Sequence, residues 1–352
     1  MFSKIKNSMP QLSTEIGIDL GTANTVIYTS FNNSISLNQP SVVALIESEG
    51  KKIPYSFGNE AKKMIGKTPV KIEIVKPLKD GVISDFNAAT EMIKKFIKES
   101  ISGKTFVFGP QIIICVPTGS TPVERRAIQE SAENIGAKEV WLIEETVAAA
   151  IGSDLPILET VGSMVVGLGG GTLEVGVLSL GNLVKGTSLR LAGDKNDEAI
   201  LHYIKDNFNL LIGLNTAEEI KIKIGCACAP FDNSNGLSMQ ISGRNLNNGI
   251  PTKMTIFERQ IAEALNDNIN KIIDTIKKVL EEVPPELSAD IQERGIYLSG
   301  GGALLKNLDY VISKVTGIPV YVAQDPLLTV VNGIKKVFNN FELYYNVLFK
   351  QN

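Results

Sequence analysis

The segment GIDLGTAN, residues 17–24, says more about the architecture than any other part of the chain. It lies inside an apolar, β-branched run from residue 16 to residue 28, which predicts a β-hairpin with its turn at residues 19–24. Glycine allows backbone N–H groups to approach a phosphate closely, and a carboxylate such as that of Asp19 can hold Mg²⁺ through water. Taken alone, such a segment is more often an ordinary turn, in which Asp19 only caps the backbone.

Two further glycine-rich turns follow, GGGT at residues 169–172 and SGGGA at residues 299–303. Residues 164–179 repeat the strand, turn and strand pattern of the first hairpin, which suggests a duplicated domain with a ligand between the two halves. None of the turns is followed by the Gly-Lys-Ser/Thr of a P-loop. Each turn is weak evidence by itself, and only their order and spacing make a phosphate-binding interpretation specific.

Strand-like and helical patterns alternate between these turns, which predicts an α/β fold. A helix capped by Ser84 and Asp85 is expected to bury one apolar face, and a long helix over residues 257–283 is expected to end at two prolines. The apolar face of the first helix consists of Phe86, Ala89, Met92, Ile93, Phe96 and Ile97. The inward residues of the long helix are Ile261, Leu265, Ile269, Ile272, Ile276 and Leu280. Strands are also predicted at 112–116, 140–143 and 295–298, and helices at 122–135 and 145–152.

The composition is that of a soluble globular chain and argues against several classes of function. The 352 residues are 43% apolar and 21% charged with a net charge of −3, so the bulk charge indicates no nucleic-acid partner. No apolar run reaches the ~18 residues of a spanning helix, and the first residues lack the apolar core of a secretory signal. Cys115, Cys226 and Cys228 fit a reducing cytoplasm. With His202 as the single histidine, a zinc site and a Ser/His hydrolase are both disfavoured.

In this order the motifs resemble those of the MreB family, the bacterial member of the actin, Hsp70 and hexokinase superfamily. The resemblance extends from about residue 15 to about residue 336. Residues 17–25 resemble the first phosphate motif of the family, and residues 169–172 resemble the second. The connecting motif is matched at 115–117, 123–128 and 142–145, and the nucleoside-binding segments are matched at 192–195, Glu218, Lys221 and 298–305.

The resemblance implies duplicated actin-like (ribonuclease H-like) domains, bilobed with four subdomains around a nucleotide cleft that holds ATP and Mg²⁺. Domain I is expected at residues 1–150, with its smaller subdomain at about 34–78. Domain II is expected at 151–352, with its smaller subdomain at about 190–255. The C-terminal segment, about 320–352, is expected to return to domain I.

The resemblance also assigns roles to individual residues. Asp19 would face the metal, and Glu145 with Thr172 would position the water that attacks the γ-phosphate. A carboxylate beside a phosphate cradle suits that role, although Glu145 could also be a first-turn acid that complements the helix dipole. The residues implied to bind ATP are Asp19, Gly21, Thr22, Ala23, Asn24, Gly169, Gly170, Gly171, Thr172, Gly193, Asp194, Glu218, Lys221, Gly300, Gly301, Gly302 and Ala303.

Three positions depart from the family pattern. Gly167 stands where the second phosphate motif opens with Asp, Leu173 replaces a hydroxyl residue beside the phosphates, and Thr146 replaces a proline. Catalysis of phosphoryl transfer is mostly positioning and electrostatics, so we expect ATP to bind and hydrolysis to be weak or absent. The alternative is that another group, for example Glu174, compensates for the missing carboxylate.

Two segments are candidates for contact with a membrane. Phe2 and Ile5 share the apolar face of a short basic amphipathic stretch, which could instead be a frayed terminus. Phe106, Val107 and Phe108 lie in a loop that, in the MreB family, inserts into membrane. The chain is therefore expected in the cytoplasm, peripheral at the inner face of the cytoplasmic membrane. The apolar tail from about residue 338 is expected to dock on the protein's own core, with a partner as the alternative.

The function implied by the resemblance is that of a membrane-associated cytoskeletal filament involved in cell shape. Its partners would be further copies of itself, in paired protofilaments, and MreB paralogues. Two alternatives remain open: a non-polymerising regulator of the family, and a sugar or acetate kinase on the same fold, although no clear catalytic Asp for a kinase is evident. A chaperone ATPase is disfavoured, because an Hsp70 would carry a substrate-binding domain after the ATPase part. The sequence does not distinguish ATP from GTP, and it does not specify filament polarity or the cellular task.

Overall fold

The computed structural model describes residues 14–48, 50–101, 109–232 and 234–351. The chain divides into two compact units. The first includes the described residues of Met1–Met64, Thr68–Gly152 and Val330–Asn352, and the second comprises Ile65–Lys67 and Ser153–Thr329. Each unit is built on its own five-stranded sheet.

The first unit contains most elements of the N-terminal half together with the C-terminal tail. Its strands are β1 (Glu15–Leu20), β2 (Asn24–Thr29), β3 (Ser34–Pro40), β4 (Val43–Ser48), β5 (Lys51–Phe57), β6 (Ile72–Val75), β7 (Leu78–Lys79), β8 (Val82–Ile83), β9 (Gln111–Val116) and β10 (Glu139–Glu144). Its helices are α1 (Gly58–Lys63), α2 (Phe86–Ser100), α3 (Pro122–Glu133) and α4 (Glu145–Gly152).

The second unit contains the elements from Ser163 onward. Its strands are β11 (Ser163–Leu168), β12 (Leu173–Ser179), β13 (Asn182–Leu189), β14 (Leu210–Leu211), β15 (Ser238–Asn245), β16 (Pro251–Phe257), β17 (Ile296–Ser299) and β18 (Val320–Val322). Its helices are α5 (Gly193–Phe208), α6 (Leu214–Ile224), α7 (Glu258–Glu281), α8 (Pro285–Arg294) and α9 (Leu308–Thr316). The chain then continues into α10 (Thr329–Asn339) and α11 (Phe341–Tyr344).

The two large sheets have the same topology. The first has the strand order β3-β2-β1-β9-β10 and the second has the order β13-β12-β11-β17-β18. In each, three consecutive strands form an antiparallel meander, and the first of them pairs in parallel with a strand from later in the chain. This repetition confirms the predicted α/β fold built from duplicated domains. Smaller sheets, with the orders β5-β4-β6 and β14-β15-β16, complete the units.

The core of the first unit forms where α2 packs against the large sheet. Asp85 caps α2 as predicted, because its side chain accepts a hydrogen bond from the N–H of Ala88. The predicted apolar face is buried with one exception, since Phe86 is 38% exposed. Phe86 follows the cap directly and is the first residue of the helix, so its side chain has no preceding turn beneath it and stays at the surface.

The core of the second unit forms around α7. Five of its six predicted inward residues are buried, and Leu280, near the C-terminal end, is partly buried. Pro284 and Pro285 follow the helix as predicted, but they do not begin a loop. Pro285 is the first residue of α8, which the sequence analysis did not predict. Proline suits that position because its missing N–H would have no partner in the first turn of a helix.

The C-terminal tail lies on the first sheet. Leu142 of β10 and Phe349 exchange two backbone hydrogen bonds, at 2.8 and 3.0 Å. The Trp141 ring meets Phe341 and Tyr345 edge-on, with centroids 6.0 and 5.3 Å away.

In the described part of the chain, no helix is both long and apolar enough to cross a membrane.

Candidate functional site

Three parallel strands bring chemically active side chains to one edge of the first sheet. β1, β9 and β10 are neighbours that run in the same direction, so their carboxyl ends meet at the same edge. Asp19 lies near the end of β1, Cys115 lies near the end of β9, and Glu145 follows β10 as the first residue of α4. The order of the strands therefore brings Asp19, Cys115 and Glu145 to the same edge of the sheet.

Burial raises the pKa of both carboxyl groups at this edge. For Glu145, the nearby charge of Asp19 raises the pKa further. Burial also raises the pKa of Cys115, with smaller contributions from the charges of Asp19 and Glu145, so this thiol stays protonated near neutral pH. The two acids would be ionised together most readily beside a cation.

The donor set at this edge suits Mg²⁺. This ion usually takes one or two protein carboxylates and completes its shell with water and phosphate oxygens. Across the described ranges, no group of three or more His, Cys, Asp or Glu could hold a metal ion. The carboxylate of Asp19 fits the small share of protein ligands that Mg²⁺ takes when phosphate oxygens and water complete its shell.

The first glycine-rich turn is held from the outside by two neighbours. The Ser41 hydroxyl donates to the carbonyl of Gly21 at 2.6 Å, and the Ser41 N–H donates to the carbonyl of Ala23 at 2.9 Å. The N–H of Gly81 donates to the Thr22 hydroxyl oxygen at 3.1 Å. The side chain of Thr22 is buried and anchors the turn, so the predicted role of Thr22 towards a phosphate would fall to its backbone.

The second glycine-rich turn is held by the N-terminal end of α5. The N–H groups of Gly193 and Asp194 donate to the carbonyls of Gly169 and Gly170, at 3.1 and 2.8 Å. Gly169 itself donates to the carbonyl of Thr172 at 3.0 Å. The structure thus brings the second phosphate motif together with the first predicted nucleoside-binding segment.

Lys221 joins this group from α6. Its ammonium pairs with Asp197 at 2.8 Å and donates to the carbonyl of Gly193 at 2.9 Å. Burial raises the pKa of Asp197 to about 6 although Lys221 acts in the opposite direction, and the charge of Glu218 adds to the rise. Asp197 was not predicted from the sequence, where its only signal was its position three residues after Asp194 on the same helix face.

The third glycine-rich turn packs against the end of β11. Gly300 has φ +80°, and a Cβ there would lie 2.4 Å from the carbonyl oxygen of Leu168. A Cβ on Gly302 would lie 2.7 Å from the Leu168 side chain, whereas Gly301 is exposed and Ala303 is buried. The glycines at 300 and 302 are therefore required by close packing, which places the third turn beside the second.

Gly167, the position without the expected acid, lies in a polar row across the second sheet. It is opposite Glu174 on β12 and beside Ser299 on β17, and residues in such register share one face of a sheet. Glu174 is fully buried and accepts a hydrogen bond from the Ser188 hydroxyl at 2.6 Å. The buried hydroxyl of Ser299 has no hydrogen-bond partner in the described part of the chain.

The other two departures from the family pattern have structural explanations. Leu173 pairs with Leu168 in register, and its side chain belongs to the apolar core. Thr146 is buried, and its hydroxyl lies 3.0 Å from that of Thr118. Of the three departures, Gly167 is the one that replaces a carboxylate. The proposed membrane residues Phe2, Ile5, Phe106, Val107 and Phe108 lie outside the described residues.

Comparisons with known proteins agree with this geometry. The sequence model of the MreB/Mbl protein family matches residues 13–346. The cell shape-determining protein MreB of Escherichia coli (strain K12) is 45% identical over 349 residues, which cover 99% of each chain. The crystal structure of MreB5 of Spiroplasma citri bound to AMPPNP is 34% identical, has a TM-score of 0.88, and aligns over 96% of this chain and 99% of its own. A MamK double helical filament, 21% identical with a TM-score of 0.78 and coverage of 93% and 99%, shares the fold.

Proposed function

The chain belongs to the MreB/Mbl family, and from that premise we propose that it binds ATP with Mg²⁺ and polymerises at the inner face of the cytoplasmic membrane, with weakened hydrolysis. The observation that carries the proposal is the contrast at the second phosphate motif. The turn at residues 169–172 keeps its glycines and its hydrogen bonds to α5, while position 167 offers no carboxylate.

We propose roles in nucleotide binding for residues of each unit, taken separately. In the first unit, Asp19 would hold Mg²⁺ through its water shell and the turn at residues 21–24 would bind phosphate. In the second unit, residues 169–172 would bind phosphate, and residues 193–194, Glu218, Lys221 and 300–303 would bind the nucleoside. Support comes from the retained motifs and from the S. citri MreB5 crystal, which contains AMPPNP.

Hydrolysis is proposed to depend on Glu145 and Thr172, which would position the attacking water. Bound Mg²⁺ would neutralise charge on the phosphates. Glu145 suits a base because burial and the charge of Asp19 raise its pKa towards the range in which a carboxylate accepts a proton. The chain lacks the acid at position 167, and loss of one preorganised electrostatic group commonly lowers the rate by on the order of 10²–10³.

Assembly is proposed because the family is one of cell shape-determining proteins and because the shared fold also occurs in the MamK filament. Membrane attachment is proposed through Phe2, Ile5 and residues 106–108. Each contact would be weak alone, and the many subunits of one filament would supply avidity. Co-sedimentation with anionic liposomes tests the loop. Replacing both Phe106 and Phe108 with Ser should release filaments from the liposomes, and unchanged binding would remove the loop from the proposal.

Filament formation is the experiment that tests the proposal as a whole. Purified protein is centrifuged and imaged by negative stain with Mg-ATP, with Mg-ADP and without nucleotide. We expect filaments that depend on Mg-ATP. Asp19→Asn should lose them, because the variant keeps the shape of the side chain and removes its charge. The absence of filaments in all conditions, together with turnover of a small substrate, would favour the kinase alternative.

A further inference from the structure

A second candidate site lies in the second unit, at the end of the sheet opposite to the glycine-rich turns. A cavity of about 240 Å³ opens where β11 and β17 begin. Its lining includes Ser153, Ser163, Arg294 and Tyr297. β11 runs from Ser163 at the cavity to Leu168, directly before the second phosphate motif. The cavity and the glycine-rich turns are therefore separated by the length of that strand.

Two hydroxyl groups in this cavity lack partners. The Oγ atoms of Ser153 and Ser163 are both buried, and neither has a hydrogen-bond partner within the ranges that the structure describes. Ser163 as a whole is 4% exposed. Burying a hydroxyl without a hydrogen bond is unfavourable, so a polar group in the cavity would remove a real cost.

A cation lies at the same cavity. Arg294 is the last residue of α8, its side chain is exposed, and in the described part of the chain it makes neither an ion pair nor a hydrogen bond. Its backbone is fixed by the next residue. Gly295 has φ +86°, and a Cβ there would lie 2.6 Å from the Tyr321 ring. The backbone beside Arg294 is thus fixed, and only the torsions of its side chain would have to be ordered around a ligand.

We propose that this cavity binds a carboxylate group, with Arg294 as its charge partner and the hydroxyls of Ser153 and Ser163 as further donors. A guanidinium holds a carboxylate through two parallel hydrogen bonds, and hydroxyl donors can satisfy the remaining lone pairs. The volume admits a small organic acid or one acidic side chain. The carboxylate therefore comes either from a free small acid or from an Asp or Glu of a second copy of this chain.

Asp154 provides a test of the sign of the ligand's charge. It also lines the cavity, and its backbone has φ +58°. Asparagine tolerates this left-handed conformation, so Asp154→Asn should keep the backbone at this position, and thermal unfolding of the variant checks that it is folded. The variant removes a negative charge from the lining. A carboxylate should then bind more tightly, whereas a cationic ligand would bind more weakly.

The first arm of the test is calorimetric titration of the full chain with acetate, succinate and citrate at constant ionic strength, with succinamide as the neutral control. We expect at least one acid to bind with Kd on the order of 1 mM or tighter, and the amide not to bind. Arg294→Ala should weaken binding by about 10- to 100-fold and Ser163→Ala by about 2- to 10-fold, while Asp154→Asn should tighten it.

The second arm of the test measures the critical concentration for polymerisation of the wild type and of the Arg294→Ala and Asp154→Asn variants. If no free acid binds, but Arg294→Ala raises the critical concentration and Asp154→Asn lowers it, the carboxylate belongs to the neighbouring copy. If no acid binds and both variants polymerise like the wild type, the proposal is wrong. Binding of ATP, measured with the same variants, should be unchanged because the cavity lies at the other end of β11. If the wild-type protein does not bind ATP, that result contradicts the proposed function and leaves the carboxylate proposal unaffected.

Discussion

The two glycine-rich hairpins have the same backbone plan and different chemistry. Asp19 and Leu20 end the first strand of one sheet, and Gly21 follows them. Gly167, Leu168 and Gly169 occupy the same positions in the other sheet. In the first, the acid is present and lies close enough to Glu145 to raise its pKa. In the second, the acid is absent, although the turn keeps its shape.

The difference separates two requirements that usually occur together. A phosphate cradle requires glycine and backbone N–H groups that are free to meet the anion. The second hairpin keeps its glycines, and the carbonyls of Gly169 and Gly170, not their N–H groups, are the atoms that bond to α5. Catalysis in addition requires charge placed where it develops in the transition state. The proposed function therefore assigns phosphate binding to both hairpins and a catalytic carboxylate to only one.

The largest effect is expected when an acid is introduced at position 167 of the second hairpin, the position that Asp19 occupies in the first. Gly167→Asp should raise phosphate release by on the order of 10²–10³, and the affinity for ATP should change by only a few fold. Gly167→Asn is the matched control, because it has the same shape without the charge. Equal rates for the two variants in a steady-state phosphate assay would show that the charge at position 167 does not limit hydrolysis.

The same phosphate-release assay shows whether Glu174 compensates for the carboxylate that is missing at position 167. If the buried carboxylate opposite Gly167 replaces the missing acid, Glu174→Gln should lower the already slow rate by a further order of magnitude or more. We expect this variant to leave the rate unchanged.

The second largest effect is expected from removing the acid of the first hairpin. Asp19→Asn should weaken ATP affinity by about 10- to 100-fold with Mg²⁺ present, since charge-assisted contacts are worth about 1.5–3 kcal/mol. Titration with a fluorescent ATP analogue checks this. With EDTA in place of Mg²⁺, the variant and the wild type should bind alike, and an equal loss under both conditions would contradict a role towards the metal.

A smaller effect is expected from filling the two turns. A Cβ on Gly21 would lie 2.7 Å from the backbone oxygen of Asn24, and a Cβ on Gly169 would lie 3.3 Å from that of Thr172. Gly21→Ala should therefore cost about 1–3 kcal/mol of stability, and Gly169→Ala about 1 kcal/mol or less. Thermal unfolding of both variants measures the difference. A larger loss for Gly169→Ala would mean that the two turns differ in a way that these distances do not capture.

The smallest effect concerns pH. The pKa of Asp197 is raised to about 6, so the group is ionised at pH 7.5 and mostly protonated at pH 5.5. Protonation removes the charge that pairs with Lys221, so ATP affinity should fall roughly 2- to 10-fold as the pH falls through 6. The phosphates of ATP titrate nearby, so Asp197→Asn is the reference. The extra fall should be absent in this variant, and parallel pH profiles would exclude Asp197 as the cause.

The sequence predicted the fold because its signals are local. The hairpin at residues 16–28, its repeat at 164–179 and the helix at 145–152 all occur where the alternation of apolar residues and the glycine spacing placed them. The helix that begins at Pro285 was missed because a double proline indicates the end of one helix as readily as the start of another.

The site was predicted less completely because its remaining parts depend on distant contacts. Ser41 holds the first turn from 20 residues away, and Asp197 is defined by its pairing with Lys221 on another helix. The glycines at 300 and 302 were assigned to a ligand, whereas the packing of Leu168 already requires them.

The central claim is that the filament binds ATP and hydrolyses it poorly, and the most direct test is phosphate release from polymerised wild-type protein. Filaments are assembled with Mg-ATP, confirmed by microscopy, and followed in the same tubes beside E. coli MreB as the reference. We predict filaments that release little phosphate, with turnover lower by on the order of 10² or more. Turnover equal to that of the reference would contradict the claim and would mean that the carboxylate missing at Gly167 is not needed.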